Sequence, residues 1–334
     1  MKKTFIVLFT ILAGIIGYFI GRNIPTKPED TTFVSTTSQK PLEKYTIENL
    51  AKTDIKEGKF EMGTKLASKD DYTSYLFHFN FNPVPDSVLM EKTEGQINLP
   101  VSADSKKLPI IIMLRGYINQ EIYKAGDGTR NTSDYFAKNS FITIAPDFLG
   151  YGGSDKEAEN IFESRFQTYV TVLSLIKSLD QIPGWDGKNI FIWGHSNGGQ
   201  IALTIMEITG GNYPTTLWAP VSKYFPYSVL FYTDTSEDRG KLIRSELTQF
   251  EKIYDTEKYS LDNYLDKINA PIQIQQGTSD TAVPYQWTDQ LVKNLEKLDK
   301  NIKLIKYAGT DHNMQPSWDN AVQADLEFFL KNII

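Results

Sequence analysis

The residues best suited to chemistry lie in one glycine-rich segment, Gly194–Gly198, with Ser196 at its centre. An apolar run typical of a buried strand, Asn189–Trp193, precedes it, and a helical pattern from Ile201 onward follows it. A serine in a sharp turn between strand and helix exposes its hydroxyl beside free helix amides, which stabilise negative charge. The turn needs glycine at 194 and 198, because a Cβ there would clash with nearby backbone. The pattern predicts Ser196 as a nucleophile; the alternative is a helix start that only permits tight packing.

A serine hydroxyl needs a base at neutral pH, and the chain offers three histidines. His195 is next to the serine in the same turn, where its side chain should point away from the hydroxyl. His78 occupies an alternating strand position and is expected to be a packed or surface residue. His312 follows the last predicted strand, in a loop at the correct edge of the sheet, and is the predicted base.

The base in turn needs a carboxylate that orients it, and Asp280 is the predicted acid. It lies in the loop after the penultimate predicted strand, which projects it toward the same edge. Asp311 competes for this role, but adjacent residues in a loop rarely pair side chain to side chain. Asp234 and Asp238 fall in an insertion and are expected to be solvated.

An oxyanion formed at the serine needs hydrogen-bond donors. The backbone amide of Asn197 is one candidate, and that of Tyr117, after the strand Pro109–Leu114, is the second. Arg115 is expected to place a cation near the mouth of the site and to contact substrate. The alternative interpretation of Gly116 is a turn glycine without catalytic meaning.

Strands that alternate with helices position these residues. The predicted buried strands are Pro109–Leu114, Phe141–Ala145, Asn189–Trp193, Thr216–Ala219, Pro271–Gln275 and Ile302–Tyr307. The predicted helices are Phe162–Leu179, Gly199–Ile208, Trp287–Leu298 and Ala321–Leu330. This alternation indicates an α/β fold with a mostly parallel sheet and helices on both faces. Tyr75–Phe81 and Gly95–Pro100 resemble short strands, and they predict an antiparallel lead-in to the main sheet.

The region 221–266 is longer than an ordinary connection and is expected to form a cap over the site. Aromatic residues in and beside it are candidates for the lining of a substrate pocket, although core positions are equally consistent with their type. The candidates are Trp218, Phe225, Phe231 and Tyr232.

Composition excludes several classes of protein. The net charge is -6 and no dense cluster of lysine or arginine is present, so nucleic acid is not an expected partner. The 334 residues contain no cysteine, which excludes disulfides and thiolate catalysis. With three histidines, the chain has little material for a metal site. We expect no metal and no cofactor.

The N-terminus predicts attachment to a membrane. Residues 1–22 hold two lysines followed by an apolar stretch, Phe5–Ile20, that contains a single threonine, and no convincing cleavage site. We therefore expect a signal anchor in the cell membrane with the catalytic part outside the cell; secretion after cleavage is the alternative. Residues 23–44 are expected to be a flexible linker, 45–105 the strand-rich lead-in and 106–334 the catalytic domain.

With these motifs the chain resembles the α/β-hydrolase superfamily, and within it the prolyl oligopeptidase-like branch. The resemblance covers about residue 90 to the end and rests on four segments: Gly194–Gly199, Gln276–Pro284, Gly309–Asn313 and Ala145–Asp155. The order serine, aspartate, histidine is the one this fold uses. Many relatives carry His-Gly-Gly at the oxyanion strand, where this chain has Arg115-Gly116-Tyr117.

The resemblance implies hydrolysis of an ester or amide through an acyl-enzyme on Ser196, without a cofactor. Peptidases of the branch recognise the substrate's amino terminus through a propeller, for which this chain has no room, and esters are therefore the preferred expectation. A peptidase acting on short peptides is the first alternative. A non-catalytic surface binding module on the same scaffold is the second.

Overall fold

The computed structural model describes residues 40–233 and 238–334. The strands in these residues are β1 (Lys59–Ser68), β2 (Tyr72–Phe81), β3 (Glu91–Pro100), β4 (Leu108–Leu114), β5 (Ile142–Pro146), β6 (Trp185–His195), β7 (Thr215–Trp218), β8 (Ile272–Gly277) and β9 (Ile302–Tyr307). The helices are α1 (Ile47–Lys52), α2 (Arg130–Lys138), α3 (Ile161–Lys177), α4 (Asn197–Thr209), α5 (Tyr227–Phe231), α6 (Lys241–Ile253), α7 (Tyr285–Lys297) and α8 (Trp318–Lys331).

The strands form one sheet in the order β1-β2-β3-β5-β4-β6-β7-β8-β9. Strands β1 to β3 pair antiparallel with one another, and β3 pairs antiparallel with β5. From β5 to β9 every pair is parallel. The loops that follow β4, β6, β8 and β9 therefore leave the same edge of the sheet, where ligand sites of open α/β sheets lie.

Alternate residues of the strands pack against helices on opposite faces. In β4, Ile110 and Ile112 join a large cluster that includes apolar residues of α3 and α4, whereas Ile111 and Met113 join a second cluster with α2 and α8. Burial on both faces explains why the parallel strands have nearly continuous apolar sequences. The α/β fold with a mostly parallel sheet and an antiparallel lead-in, predicted from the sequence, is confirmed.

The first residues of the folded body correct one predicted boundary. The linker was expected to extend to residue 44, but Leu42 is buried, its amide donates to the Tyr254 hydroxyl at 3.1 Å, and its carbonyl accepts from the Tyr259 hydroxyl at 3.0 Å. Residues 41–44 are therefore held by the region 221–266 rather than belonging to a flexible linker.

The predicted signal anchor, residues 1–22, lies outside the described residues, as does most of the linker. Within 40–233 and 238–334, none of the helices combines the length and the apolar character needed to cross a membrane.

A buried acid in α4 predicts how stability depends on pH. Glu207 is 2% exposed, and its carboxyl oxygens find no hydrogen-bond partner among the described residues. Burial, together with the nearby carboxylates of Asp262 and Asp266, raises the pKa of Glu207 well above its ordinary value. Above about pH 4.3 the unfolded chain releases a proton that the folded chain keeps, so the free energy of unfolding falls with rising pH until the folded pKa is passed.

Glu207→Gln removes this titration and should stabilise the protein increasingly as the pH rises. The free energy of unfolding of Glu207→Gln minus that of wild type, measured by urea denaturation, should be larger at about pH 7 than at about pH 5. The expected increase is about 1 to 2 kcal/mol. Glu251→Gln, at an exposed position of α6, is the matched control and should show no such growth. An equal gain for Glu207→Gln at both pH values would contradict the prediction.

Candidate active site

A strained turn presents Ser196 between the end of β6 and the start of α4. Its backbone angles are φ 56° and ψ -117°, which a residue other than glycine adopts at a cost of about 1 to 3 kcal/mol. A Cβ on Gly198 would lie 1.9 Å from the carbonyl oxygen of Leu114, and one on Gly194 would lie 2.8 Å from that of Gly198. The expectation that this turn needs both glycines is confirmed.

The neighbouring strand holds the turn in place. The Ser196 amide donates to the Trp218 carbonyl at 2.9 Å, and the Ser196 carbonyl accepts from the Val221 amide at 2.9 Å. These bonds offset the backbone strain and hold the main chain from which the Ser196 side chain projects. The first amides of α4, beginning with Asn197, have no acceptor within the helix and can bind a negative charge.

Asp280 and His312 form the hydrogen-bonded pair that the sequence suggested. His312 Nδ1 donates to Asp280 Oδ2 at 2.8 Å, and the Asp280 side chain is fully buried while that of His312 is 19% exposed. Burial alone would raise the pKa of Asp280, but hydrogen bonds from His312 and from the Val283 and Ala282 amides outweigh it and lower the pKa below its ordinary value. Asp280 is therefore ionised and orients the imidazole.

Two of the competing carboxylates, Asp311 and Asp238, accept hydrogen bonds from nearby backbone amides. Asp311 accepts from the amides of Asn313 and Gln315 at 2.9 and 2.8 Å, which shapes the loop that carries His312. Asp238 accepts from amides at the start of α6. Asp234 lies outside the described residues.

Ser196 and His312 line one cavity of about 900 Å³, which also contacts Tyr117, Asn197 and Tyr232. Among the described residues, no hydrogen bond joins the Ser196 hydroxyl to the His312 ring. Hydrogen bonds of this kind are often long in empty sites and tighten when substrate is bound.

His195 has a contact that sequence analysis missed. Its Nε2 donates to the backbone carbonyl of His312 at 2.9 Å, and the two rings are 4.6 Å apart between centroids. Burial, and secondarily the nearby His312, lower the pKa of His195 to about 4. His195 is therefore neutral at neutral pH and steadies the loop that carries His312.

Replacing His195 with phenylalanine keeps a ring but removes the donor to the His312 carbonyl. We expect kcat to fall about tenfold with little change in KM, since loss of one hydrogen bond of about 1 kcal/mol loosens the base. His195→Gln, which keeps a donor, should recover part of the loss. Steady-state kinetics of both variants test this, and unchanged kcat in His195→Phe would contradict it.

The loop after β4 lies beside Ser196. Within this loop, Arg115 was expected to place a cation at the mouth of the site and to contact substrate, but it contacts backbone instead. Its guanidinium donates to the carbonyls of Gly116 and Asp147 at 3.0 and 2.8 Å and lies 3.8 Å from the Tyr151 ring centroid. Arg115 is only 5% exposed. The expected cation at the mouth is therefore a buried group that fixes backbone.

This arrangement orients the Tyr117 amide. The Gly116 carbonyl and the Tyr117 N–H belong to one planar trans peptide and point in opposite directions, so a carbonyl fixed by Arg115 also fixes the N–H. A Cβ on Gly116 would lie 3.0 Å from Ser196 Cβ, which places this peptide beside the nucleophile. The geometry is compatible with an oxyanion site formed by the Tyr117 and Asn197 amides.

The four aromatic residues expected to line the pocket lie in different surroundings. Phe225 is buried against Phe162, Phe166 and Phe250 and belongs to the core. Tyr232 lines the cavity, and its hydroxyl donates to the Ala282 carbonyl at 3.2 Å. Phe231 packs on Trp287, with 4.7 Å between ring centroids, and is not among the described lining residues. Trp218 is 3% exposed and donates from Nε1 to Asp325 at 2.6 Å. The prediction for Trp218 needs correction, because its ring is packed beneath the turn, on the face covered by α8.

A nucleophile turn and a buried Asp–His pair at the carboxyl edge of a parallel sheet define a serine hydrolase of the α/β-hydrolase fold. Residues 128–334 match the prolyl oligopeptidase family, and the chain belongs to this family. The resemblance stated from the sequence motifs is confirmed.

Two curated relatives are each 25% identical to this chain. The uncharacterized peptidase YtmA of Bacillus subtilis matches over 201 residues, 59% of this chain and 74% of that protein. The acetyl esterase Axe7A of Xylanibacter ruminicola matches over 186 residues, 49% of this chain and 41% of that protein. This chain thus spans less than half of Axe7A.

Solved structures show the same fold. An acetyl xylan esterase from Paenibacillus sp. R4 superimposes with a TM-score of 0.64 at 16% identity, covering 86% of this chain and 92% of that one. Acetyl xylan esterase 1 from Thermoanaerobacterium sp. JW/SL YS485 gives a TM-score of 0.61 at 14% identity, with 87% and 93% covered.

Proposed function

We propose that this serine hydrolase is an esterase that works through an acyl-enzyme on Ser196, with His312 as base and Asp280 as its orienting acid. The observation that carries the proposal is the 2.8 Å bond from His312 Nδ1 to a buried, ionised Asp280, in a loop that shares a cavity with Ser196. Because Nδ1 of His312 is paired with Asp280, the other ring nitrogen, Nε2, is the one that would accept the serine proton.

The proposed reaction has two halves. Ser196 Oγ attacks the ester carbonyl while His312 takes its proton, and the oxyanion is bound by the Asn197 and Tyr117 amides. His312 returns the proton to the departing alcohol, which leaves an acyl ester on Ser196. Water then attacks this ester with the same base, and the acid is released.

The described lining of the cavity supports esters over peptides with a free amino terminus. A substrate ammonium group needs carboxylates, whereas the charged side chain on the described lining is that of Arg165. The relative Axe7A is named an acetyl esterase, which supports short acyl esters. Membership of the prolyl oligopeptidase family and the likeness to a protein named a peptidase favour the second candidate, cleavage of short peptides.

A comparison of matched substrates separates the two candidates. p-Nitrophenyl acetate and butyrate should be hydrolysed with a kcat/KM far above that of alanyl- and glycyl-prolyl-p-nitroanilide. The His312→Gln variant should lose the esterase activity, which excludes turnover by surface groups. Faster release of nitroaniline than of nitrophenol would overturn the proposal in favour of a peptidase.

A further inference from the structure

Arg165, a residue of α3, lies where two cavities meet. It lines the cavity that contains Ser196 and also a smaller one of about 170 Å³, and the two share Tyr117, Arg165 and Asn197 as lining residues. A group on a substrate held at Ser196 can therefore reach this side chain from the nucleophile.

The guanidinium of Arg165 is oriented without being neutralised. Its Nη2 donates to Gln200 Oε1 at 3.0 Å, and among the described residues no carboxylate lies within 4.0 Å of it. Gln200 is 4% exposed and is itself fixed, because its Nε2 donates to the Tyr169 hydroxyl at 2.8 Å and to Thr204 Oγ1 at 3.0 Å. A guanidinium has five N–H donors, so a rigid neutral acceptor holds one of them and leaves others for a ligand.

The charges around the cavity favour a negative ligand. On the described lining of the larger cavity, Arg165 is accompanied by no aspartate, glutamate or lysine, and His195 is neutral. Glu157 lines the smaller cavity, where its two oxygens accept from Gln120 and Ser164. Since the whole chain carries a net charge of -6, this cation is a local feature of the site rather than part of a basic surface.

We propose that Arg165 binds a carboxylate of the substrate, so that the preferred substrates are esters carrying a negative charge close to the scissile bond. The inference rests on the proposed esterase function. Gln200 follows Ser196 by one turn of α4, which is about 6 Å along a helix. A carboxylate a few bonds from the scissile carbonyl spans this distance, and its two oxygens match the planar donors of arginine.

Two pairs of matched esters test the inference and show which side of the ester carries the charge. The first pair is the p-nitrophenyl monoester of glutaric acid and the p-nitrophenyl ester of glutaramic acid, which differ in charge on the acyl side. The second pair is 3-acetoxybenzoate and its methyl ester, which differ in charge on the alcohol side. For at least one pair, the wild type should prefer the anionic member in kcat/KM by about tenfold or more, and high salt should reduce the preference.

Arg165→Gln should remove most of this preference, and Arg165→Lys should keep part of it, because lysine retains the charge without the planar fork. Lys156→Gln, at an exposed position in a surface pocket that adjoins the smaller cavity, removes a charge outside both cavities and should leave the ratio as in wild type. Since the readout is a ratio of two substrates in one protein, a partial loss of folded enzyme does not affect it.

The inference would be overturned if the wild type hydrolysed the anionic and neutral members of each pair with equal kcat/KM. It would also be overturned if Arg165→Gln kept the wild-type ratio. In both cases, hydrolysis of the neutral esters would still show that the protein is an esterase. If none of the four esters is hydrolysed and the p-nitroanilides are, the proposed function fails, and the inference fails with it.

Discussion

Replacing Ser196 with alanine is expected to lower kcat/KM for p-nitrophenyl esters by about ten-thousand-fold or more, because the acyl-enzyme can no longer form. The substitution removes an oxygen from a side chain that the turn exposes, and the backbone bonds to Trp218 and Val221 remain. The free energy of unfolding should therefore change little. Steady-state kinetics and urea denaturation of the same preparation separate the two effects.

Ser228→Ala is the matched control for this substitution. Ser228 lines the same cavity and is buried, and its hydroxyl has no hydrogen-bond partner among the described residues. It should therefore keep most of the wild-type activity. If Ser228→Ala lowered kcat/KM as much as Ser196→Ala does, the loss in Ser196→Ala would not identify Ser196 as the nucleophile.

Asp280→Asn is expected to reduce kcat by about ten-thousand-fold with the fold intact. Asparagine can keep an oxygen toward the Ala282 and Val283 amides, but it then presents its NH₂ group to His312 Nδ1. That group donates rather than accepts, so the imidazole would carry its proton on Nε2 and could not receive one from Ser196.

The control is Asp311→Asn, the carboxylate beside the base in sequence. Among residues 40–233 and 238–334, its Oδ1 accepts only from amides of its own loop, which asparagine also satisfies, so kcat should stay close to that of wild type. A larger loss in Asp311→Asn than in Asp280→Asn, measured with the same ester, would reverse the assignment of the acid.

The sequence allowed Ser196, Asp280 and His312 to be placed together for a topological reason. Apolar runs located the parallel strands, and the carboxyl ends of such strands meet at one edge whatever the details of packing. Ser196 follows β6 directly, and Asp280 and His312 lie in the loops that follow β8 and β9, so their convergence required only the order of elements. The bond from His312 to Asp280 bears out this reasoning about placement.

Side chains that depend on distant packing could not be predicted in this way. The guanidinium of Arg115 is enclosed by Tyr123, further along the same loop, and by Tyr151, from the loop after β5, and no pattern around Arg115 in the sequence indicates that it is buried. The contact of His195 with the His312 carbonyl spans 117 positions in sequence. Arg165 lies within an ordinary helical pattern, and only the fold brings it to the cavity.

Strand β1 was missed for another reason. It is an edge strand whose residues are mostly exposed, so it lacks the alternation of apolar and polar residues that marks a half-buried strand. Its pairing with β2 is irregular at two points, which further weakens any pattern.

The measurement that tests the central claim most directly is mass spectrometry of the protein after reaction with a fluorophosphonate. We predict one adduct, on the peptide that contains Ser196, and a labelling rate that falls at least about a hundredfold in His312→Gln, since general-base assistance is worth 10² to 10⁴ in rate. An adduct on another residue, or equal labelling rates in wild type and His312→Gln, would contradict the account.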